Sequence, residues 1–236
     1  MTRTLPAFRY LFKAFSRLTL IGFLISLGNL AIVDLVFHLT ARAYGAHQVV
    51  PLTAPFEMAD GIFVFIVGLI LFIPHFKVAL ANGVSRKTFL LANLPAAILL
   101  AAVLSIFNLI VVQVHNLFWP IIFVSELYFP QIHWAGLLIL QFGLYLLLIV
   151  SGWFITLAYY RSSAPVKWTI SLAPFVLYGL LKVVNAWMGE VIFTSVREYI
   201  RWSMIDPSHV AVPCMAYAAI LCGLVYLLLR RAPLKD

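Results

Sequence analysis

The chain has 236 residues, of which 64% are hydrophobic and 10% are charged, and its mean hydropathy is +1.05. Soluble globular domains are about 45–50% apolar and about 25% charged, so this composition excludes a soluble domain and indicates a membrane protein. Strands of a membrane barrel would alternate apolar and polar side chains, whereas residues 137–140 and 146–150 are continuously apolar. We therefore predict an all-α integral membrane fold.

Six apolar stretches are long enough to cross a bilayer, whose hydrocarbon core of about 30 Å needs about 20 apolar residues per helix. They predict a six-helix bundle within a single transmembrane domain covering residues 1–236. The predicted spans are residues 18–39, 60–80, 93–114, 134–158, 168–187 and 210–229.

A basic segment precedes the first predicted span. Arg9, Lys13 and Arg17 recur every four residues, while Phe12 and Phe15 belong to an apolar set at helical spacing. This pattern predicts an amphipathic helix over residues 1–17 that lies at the membrane interface. An ordinary juxtamembrane anchor is the alternative.

Two charged residues fall clearly inside predicted spans, Asp34 in the first and Lys182 in the fifth, at similar depths. An isolated charge inside the bilayer is costly, so we expect both to face protein or water. They form a candidate ion pair, within one subunit or between two. The alternative is that each reaches the outer headgroups separately. Uncharged polar residues, including Asn108, Gln141 and Tyr145, are scattered through the other spans and are expected mostly to bond neighbouring helices.

Residues 76–91, between the second and third predicted spans, form a basic segment with a glycine at its centre. Gly83 after Asn82 allows a sharp turn, and Ser85 can cap the next helix. We predict a bent helix-turn-helix with a cationic tip at Arg86 and Lys87. Lipid anchoring by these side chains is the alternative.

Residues 190–208, between the fifth and sixth predicted spans, alternate apolar and charged side chains and end in a turn at Asp206 and Pro207. They predict one or two short amphipathic helices in the outer interface, acting as a lid or collar. A passive surface helix is the alternative.

When the ends of successive spans are assigned alternately to the two sides of the membrane, most of the 16 basic residues lie on one side. Most of the eight acidic residues lie towards the other side. The positive-inside rule makes the basic side cytoplasmic, with both termini there. We attribute the net charge of +8 to this topology and to contact with anionic lipid. We expect no nucleic-acid partner.

Motifs of covalent chemistry are missing from the sequence. There is no His-Glu-x-x-His string and no Gly-x-Ser-x-Gly string, and Arg86 stands where a phosphate-binding loop requires its second glycine. We therefore expect no catalytic residue, no metal site and no bound cofactor in this chain, which does not hydrolyse ATP alone.

The string Asn-Gly-Val-Ser-Arg-Lys, followed after one residue by Phe89, resembles the loop after the second span in membrane subunits of the ABC type-2 exporter family. The similarity is greatest to small stand-alone permeases of bacterial multidrug, bacitracin and peptide export systems. Members of this family bind a separate ATPase subunit through a coupling helix in this loop. The resemblance implies docking by Asn82, Gly83, Val84, Ser85, Arg86, Lys87 and Thr88, and a second cytoplasmic contact by Arg9, Lys13, Arg17, Arg161 and Lys167.

The resemblance further implies two membrane subunits, identical or related, in a bacterial plasma membrane, with ATP and Mg²⁺ bound by the partner ATPase. The expected function is outward transport of an amphipathic, peptide-like or lipid-like substrate. The alternative is a protein without transport activity, either an immunity or sensor subunit that binds a toxic peptide or an integral membrane enzyme acting on lipid.

Overall fold

Helices account for almost all of the chain that the computed structural model describes, which is residues 4–44, 53–54, 56–115, 117, 122–123, 129, 133–187, 191–203, 205–230 and 232. Two strands of two residues, β1 (Thr53–Ala54) and β2 (Ile122–Phe123), pair in parallel. The helices are α1 (Thr4–Tyr44), α2 (Phe56–Ala81), α3 (Arg86–His115), α4 (Trp134–Arg161), α5 (Ala164–Trp187), α6 (Val191–Ser203) and α7 (Ser208–Arg230).

Five segments in these helices are long and apolar enough to cross a membrane, as expected for a membrane-embedded helical protein. They are Ser16–Thr40, Glu57–Ala81, Arg86–Val114, Trp134–Arg161 and Ser208–Arg230. The remaining predicted span, residues 168–187, is helical within α5 but is not among the five. The count of six spans stays a prediction.

The predicted span at 18–39 and the described part of the predicted interfacial helix at 1–17 lie on one helix, whose apolar segment is Ser16–Thr40. In the described residues, α1 continues through the boundary between them without interruption. Ser16 donates its hydroxyl to the Lys13 carbonyl oxygen of the same helix at 2.9 Å. The described basic residues before the span therefore belong to the first part of one long helix, and their position at the membrane interface stays a prediction.

The turn at residues 82–85 joins α2 to α3 and has the geometry predicted for Gly83 and Ser85. Gly83 has φ 71°, which glycine adopts without steric cost. Its N–H bonds to the Leu80 carbonyl at 2.9 Å, and the Val84 N–H bonds to the Ala79 carbonyl at 2.9 Å, which together close α2 in a Schellman motif. Ser85 Oγ accepts the Thr88 N–H at 3.1 Å and so caps α3.

Among the described residues, no separate helix lies between α2 and α3, and the predicted coupling helix is not confirmed. Arg86 is the first residue of α3, which then continues to His115, so the third long helix begins seven positions before the predicted limit at 93. The reason is that the cap at Ser85 starts the helix immediately, and the helix continues through Pro95 although this residue has no N–H to donate. The basic tip is therefore the N-terminal turn of α3.

Helix α4 lies at the centre of the bundle, where it packs against α2, α3 and α7, while α1 packs against α2 and α3. Two glycines, Gly68 of α2 and Gly152 of α4, allow the closest of these approaches, because neither has a side chain to separate the backbones. Next to them, Thr156 Oγ1 donates a hydrogen bond to the Leu69 carbonyl at 2.6 Å. Small residues thus fix how α2 crosses α4.

The region predicted to hold one or two outer helices contains α6. Its backbone is tied to α5 by Asn185, which is buried and accepts the Phe193 N–H at 2.8 Å through its side-chain oxygen. After α6, the Asp206 carboxylate accepts the Ser208 N–H at 2.7 Å. Hydrogen bonding from Ser208 holds the pKa of Asp206 below its usual range. The position of α6 at the outer membrane surface stays a prediction.

Candidate functional site

Six polar residues from four helices meet at the end of the bundle remote from the turn at 82–85. One of them, Asn108, lies about 33 Å along α3 from Arg86 at 1.5 Å per residue. Five of the six are buried, Glu57 being the exception at half-buried. We call this set the polar network: Ser26 of α1, Glu57 and Asp60 of α2, Asn108 of α3, and Gln141 and Tyr145 of α4.

Asp60 is the buried acid at the centre of the network, with a relative exposure of 0%. Ser26 Oγ lies 2.8 Å from each of its two carboxyl oxygens and 3.1 Å from the Gly22 carbonyl oxygen. Since a serine hydroxyl has a single proton, it can donate to only one of these acceptors at a time. The neutral side chain of Asn108 also lies close to this carboxyl group. Among the described residues, the groups around the Asp60 carboxyl group are thus neutral.

The network continues from Asn108 to α4 and back to α2. Asn108 Nδ2 donates to Tyr145 Oη at 2.9 Å, and Tyr145 Oη lies 3.4 Å from the Glu57 carbonyl oxygen. Gln141 Nε2 donates to the Glu57 carboxylate at 2.7 Å. Within the described part of the chain, Asn108 Oδ1 and Gln141 Oε1 accept no hydrogen bond. A buried acceptor without a donor is costly, so these two atoms leave the hydrogen bonding of the network incomplete.

A cavity of about 520 Å³ adjoins the network. This volume is within the range of about 300–1,000 Å³ that is usual for small-molecule sites. Glu57, Gln141 and Tyr145 contribute polar atoms to its wall, and most of the remaining lining is apolar. The apolar part includes Ile62, Phe65, Leu140, Leu144 and Leu148. The arrangement suits a ligand with a large apolar part and a small polar end.

The residues predicted to dock an ATPase lie at the opposite end, around the turn. Asn82, Gly83, Ser85 and Lys87 are exposed, whereas Val84, Arg86 and Thr88 are half-buried. Val84 packs against the apolar core, and the Thr88 hydroxyl accepts a hydrogen bond from Ser85 Oγ at 2.8 Å. The exposed part of the predicted surface is thus a polar tip that ends in Lys87.

Two predicted docking arginines make contacts within the chain. Arg86 Nη1 donates to the Arg230 carbonyl oxygen at 2.7 Å, and Arg161 Nη1 donates to the Leu228 carbonyl oxygen at 3.1 Å. Both acceptors belong to the last turn of α7, where carbonyls lack helical partners and cations are favoured. The structure therefore brings Arg86 and Arg161 together as caps of α7. Lys167 is exposed near the start of α5.

The basic residues of α1 lie at a different level. Lys13 and Arg17 are exposed, and the side chain of Arg9 lies outside the described residues. Phe23 stacks on Phe107 of α3 with ring centroids 4.0 Å apart. Arg17 precedes Phe23 by six residues, whereas Arg86 precedes Phe107 by 21. At 1.5 Å per residue along two parallel helices, the levels of Arg17 and Arg86 therefore differ by about 20 Å. A joint docking role for Arg17 and the turn stays a prediction from the resemblance.

The candidate pair of Asp34 and Lys182 also stays a prediction. Lys182 is exposed on α5, and its Nζ lies 5.1 Å from the centre of the Tyr178 ring, a distance at which a cation is attracted to the ring face. Asp34 is half-buried on α1.

Sequence reasoning missed Asp60 as a buried acid because it placed this residue at the edge of the second span. It also treated Asn108, Gln141 and Tyr145 as unrelated. One available signal was the depth of these residues in the membrane. Because successive spans run in opposite directions, all four residues are expected in the same third of the bundle. What the sequence lacked was the rotation of each helix about its axis, which decides whether they face one another.

Comparison of the chain with protein-family models, with curated proteins and with solved structures gives no match.

Proposed function

We propose that the chain is the membrane subunit of an ATP-driven exporter, with ATP hydrolysed by a separate cassette ATPase subunit. The observation that carries the proposal is the turn at 82–85, in which Asn82, Gly83 and Ser85 are exposed and the backbone is locked by the Schellman motif and by the Ser85 cap. A surface that transmits force from another subunit must be rigid, and this one continues directly into two long helices. The sequence resemblance at Asn82–Lys87 supports the same role.

The positions of the polar network and the cavity supply a mechanism. A push on the turn acts on α2 and α3, and the far ends of these helices carry Glu57, Asp60 and Asn108. The hydrogen bonds that join Glu57 to Gln141 and Asn108 to Tyr145 cross to α4. Displacement of α2 and α3 relative to α4 would break these bonds and reshape the cavity, which would then release an amphipathic, peptide-like or lipid-like molecule outward.

The proposal places the turn on the cytoplasmic side of a bacterial plasma membrane. Two membrane subunits and two ATPases, with ATP and Mg²⁺ bound by the ATPases, would form the complete exporter. The exposed apolar faces of α1 and α5, which include Leu24, Ile32, Phe175 and Val183, leave surface for a second membrane subunit or for lipid.

The docking test uses Lys87→Glu and leaves Arg86 intact, because Arg86 caps α7 and its loss would disturb the fold. We expect the variant to bind the ATPase encoded beside its gene about tenfold more weakly, since reversing a charge at an interface creates repulsion. Co-purification and nucleotide-dependent export are the measurements. Arg197→Glu, a reversal at an exposed residue of α6, is the matched control. Unchanged binding and export in Lys87→Glu would refute docking at the turn.

A second candidate function, proton-coupled transport, is favoured by one specific observation. Asp60 is a buried acid whose described hydrogen-bond partners are neutral, and intramembrane acids of this kind serve as proton carriers in pumps and transporters. Glu57 and Tyr145 are the other titratable members of the network.

Substitution of Asp60 separates the two functions. Asn keeps the oxygen that accepts from Ser26 but cannot release a proton, whereas Leu removes the acceptor altogether. For an ATP-driven exporter, we expect Asp60→Asn to retain at least about half of the export rate and Asp60→Leu to lose most of it, because only Leu breaks the network. Export from vesicles energised by ATP or by a pH gradient is the measurement. Loss of gradient-driven transport in Asp60→Asn would favour the proton-coupled reading.

A further inference from the structure

A second cavity, also of about 520 Å³, lies on the flank of the bundle between α3 and α7. One wall comes from the 87–98 part of α3 and the opposite wall from the 215–226 part of α7. Because α4 packs against both of these helices, its residues Leu146 and Val150 form the floor. We call this cavity the flank groove.

The flank groove is apolar along most of its length and is open at its side. On the α3 wall, Leu91 and Ile98 are 54% and 40% exposed. The α7 wall is built from small residues, including Ala218, Ala219 and Gly223, and a Cβ at Gly223 would meet nothing within 4 Å. The groove therefore has room for a slender apolar chain that approaches from the surrounding bilayer.

The length and level of the flank groove match one leaflet of a membrane. The apolar segments of α3 and α7 have their limits at Arg86 and Arg230, and Arg86 Nη1 joins these two ends by donating to the Arg230 carbonyl oxygen at 2.7 Å. From this end each wall runs for about 16 Å at 1.5 Å per residue. Half of a hydrocarbon core of about 30 Å is about 15 Å. The groove thus begins where lipid headgroups lie and ends near the middle of the bilayer.

Positive charge lies at the headgroup end of the flank groove. Lys87 is the one charged residue among the described lining residues, none of which is acidic, and its side chain is exposed. Arg230 is also exposed at this end, and Arg86 is half-buried beside it. Lysine binds phosphate as a point charge, and basic residues near a membrane surface attract anionic lipids. The charge therefore favours an anionic headgroup above an apolar chain.

We propose that the flank groove binds an anionic phospholipid, with one acyl chain between α3 and α7 and the headgroup phosphate at Lys87. This lipid site goes beyond the proposed exporter function and does not rest on it. A lysine ammonium has three donors, so a phosphate at Lys87 leaves donors for contact with an ATPase.

The test is native mass spectrometry of the full chain, released from detergent micelles without any ATPase. The protein is equilibrated with equal concentrations of dioleoylphosphatidylglycerol, which is anionic, and dioleoylphosphatidylcholine, which has the same acyl chains and no net charge. We expect the complex with one phosphatidylglycerol to be at least fivefold more abundant than the complex with one phosphatidylcholine.

Replacing Lys87 tests the headgroup contact. Lys87→Gln removes the charge, so the preference for phosphatidylglycerol should fall below twofold while binding of phosphatidylcholine stays unchanged. The matched control is Lys167→Gln, which removes an exposed lysine that is not among the residues lining the groove. It should keep the preference of the parent protein.

Filling the groove tests the position of the acyl chain. Gly223→Leu places a side chain in the open space, so binding of both lipids should fall at least fivefold. Ala219→Leu is a second variant with the same expected effect. The matched control is Gly179→Leu on α5, where a Cβ also meets nothing within 4 Å, and it should bind both lipids normally. Thermal melting of each variant shows whether it is folded.

Equal binding of the two lipids by the parent protein would overturn the proposal, as would an unchanged preference in folded Lys87→Gln. Normal lipid binding by folded Gly223→Leu or Ala219→Leu would also overturn it. A dimer that these two variants convert to monomer would assign the groove to a second copy of the chain instead. Because no ATPase is present, none of these outcomes depends on the docking test with Lys87→Glu.

Discussion

Replacing Gly152 with alanine is expected to force α2 and α4 apart and to destabilise the bundle by about 1–3 kcal/mol, the usual cost of overpacking a core. A Cβ at this position would lie 2.8 Å from the Gly68 carbonyl carbon, the Leu69 nitrogen and the Phe65 carbonyl oxygen. All three are backbone atoms, so no side-chain rotation can make room. The helices themselves must move, and α4 is the helix around which the bundle packs.

A matched control for Gly152→Ala exists within the same bundle. A Cβ at Gly223 of α7 would meet nothing within 4 Å, so Gly223→Ala should leave the melting temperature unchanged or raise it slightly, since alanine favours helix. Melting of the purified protein in detergent, followed by tryptophan fluorescence, is the measurement. If Gly152→Ala melted at the same temperature as Gly223→Ala, the close crossing of α2 and α4 would be wrong.

Truncation of Trp153 to alanine is expected to be the most destabilising change to an apolar side chain, at about 3–5 kcal/mol. Trp153 is 1% exposed, and its ring centre lies 5.3 Å from that of Phe72 on α2. Phe72 in turn contacts the ring of Phe89 on α3 edge-on, with centroids 5.4 Å apart. In a bilayer the loss comes from broken van der Waals contacts and from the cavity left behind, because lipid is as apolar as the core.

The control for Trp153→Ala is Trp187→Ala, since Trp187 at the end of α5 is 90% exposed. We expect the Trp153 variant to unfold at a clearly lower temperature or denaturant concentration and the Trp187 variant to match the parent protein. Circular dichroism during thermal unfolding avoids the loss of a fluorescent residue. Similar melting of the two variants would contradict the aromatic cluster that links α2, α3 and α4.

The aromatic cluster also bears on the proposed mechanism, because it lies between the turn and the polar network. Phe76 and Phe89, whose ring centres are 5.5 Å apart, join α2 to α3 just beyond the turn. A displacement of the turn would therefore carry both helices together. Without this link, a push on Lys87 would be absorbed locally and would not reach Asp60 or Asn108.

Local features of the fold could be predicted from the sequence because a few neighbouring residues determine them. The backbone freedom of Gly83 and the hydroxyl of Ser85 predict the turn and the cap, and the structure confirms both. The basic residues Lys13 and Arg17 lie on the same helix as the first span, and Arg86 and Lys87 lie on the same helix as the third. Neither continuity could be predicted from the sequence. Charge and amphipathicity indicate where a segment is polar, but they do not end a helix unless a residue breaks or caps it.

By itself, the sequence determined the class of the protein, because the free energy of placing long apolar segments in a bilayer depends on composition and length alone. It also determined the α2 to α3 turn. Only the tertiary structure decided which polar residues meet, since α4 is apolar on all sides and its sequence does not show which face packs against α2. The close crossing at Gly68 and Gly152 sets that face, and with it the contact of Gln141 with Glu57 beside the cavity.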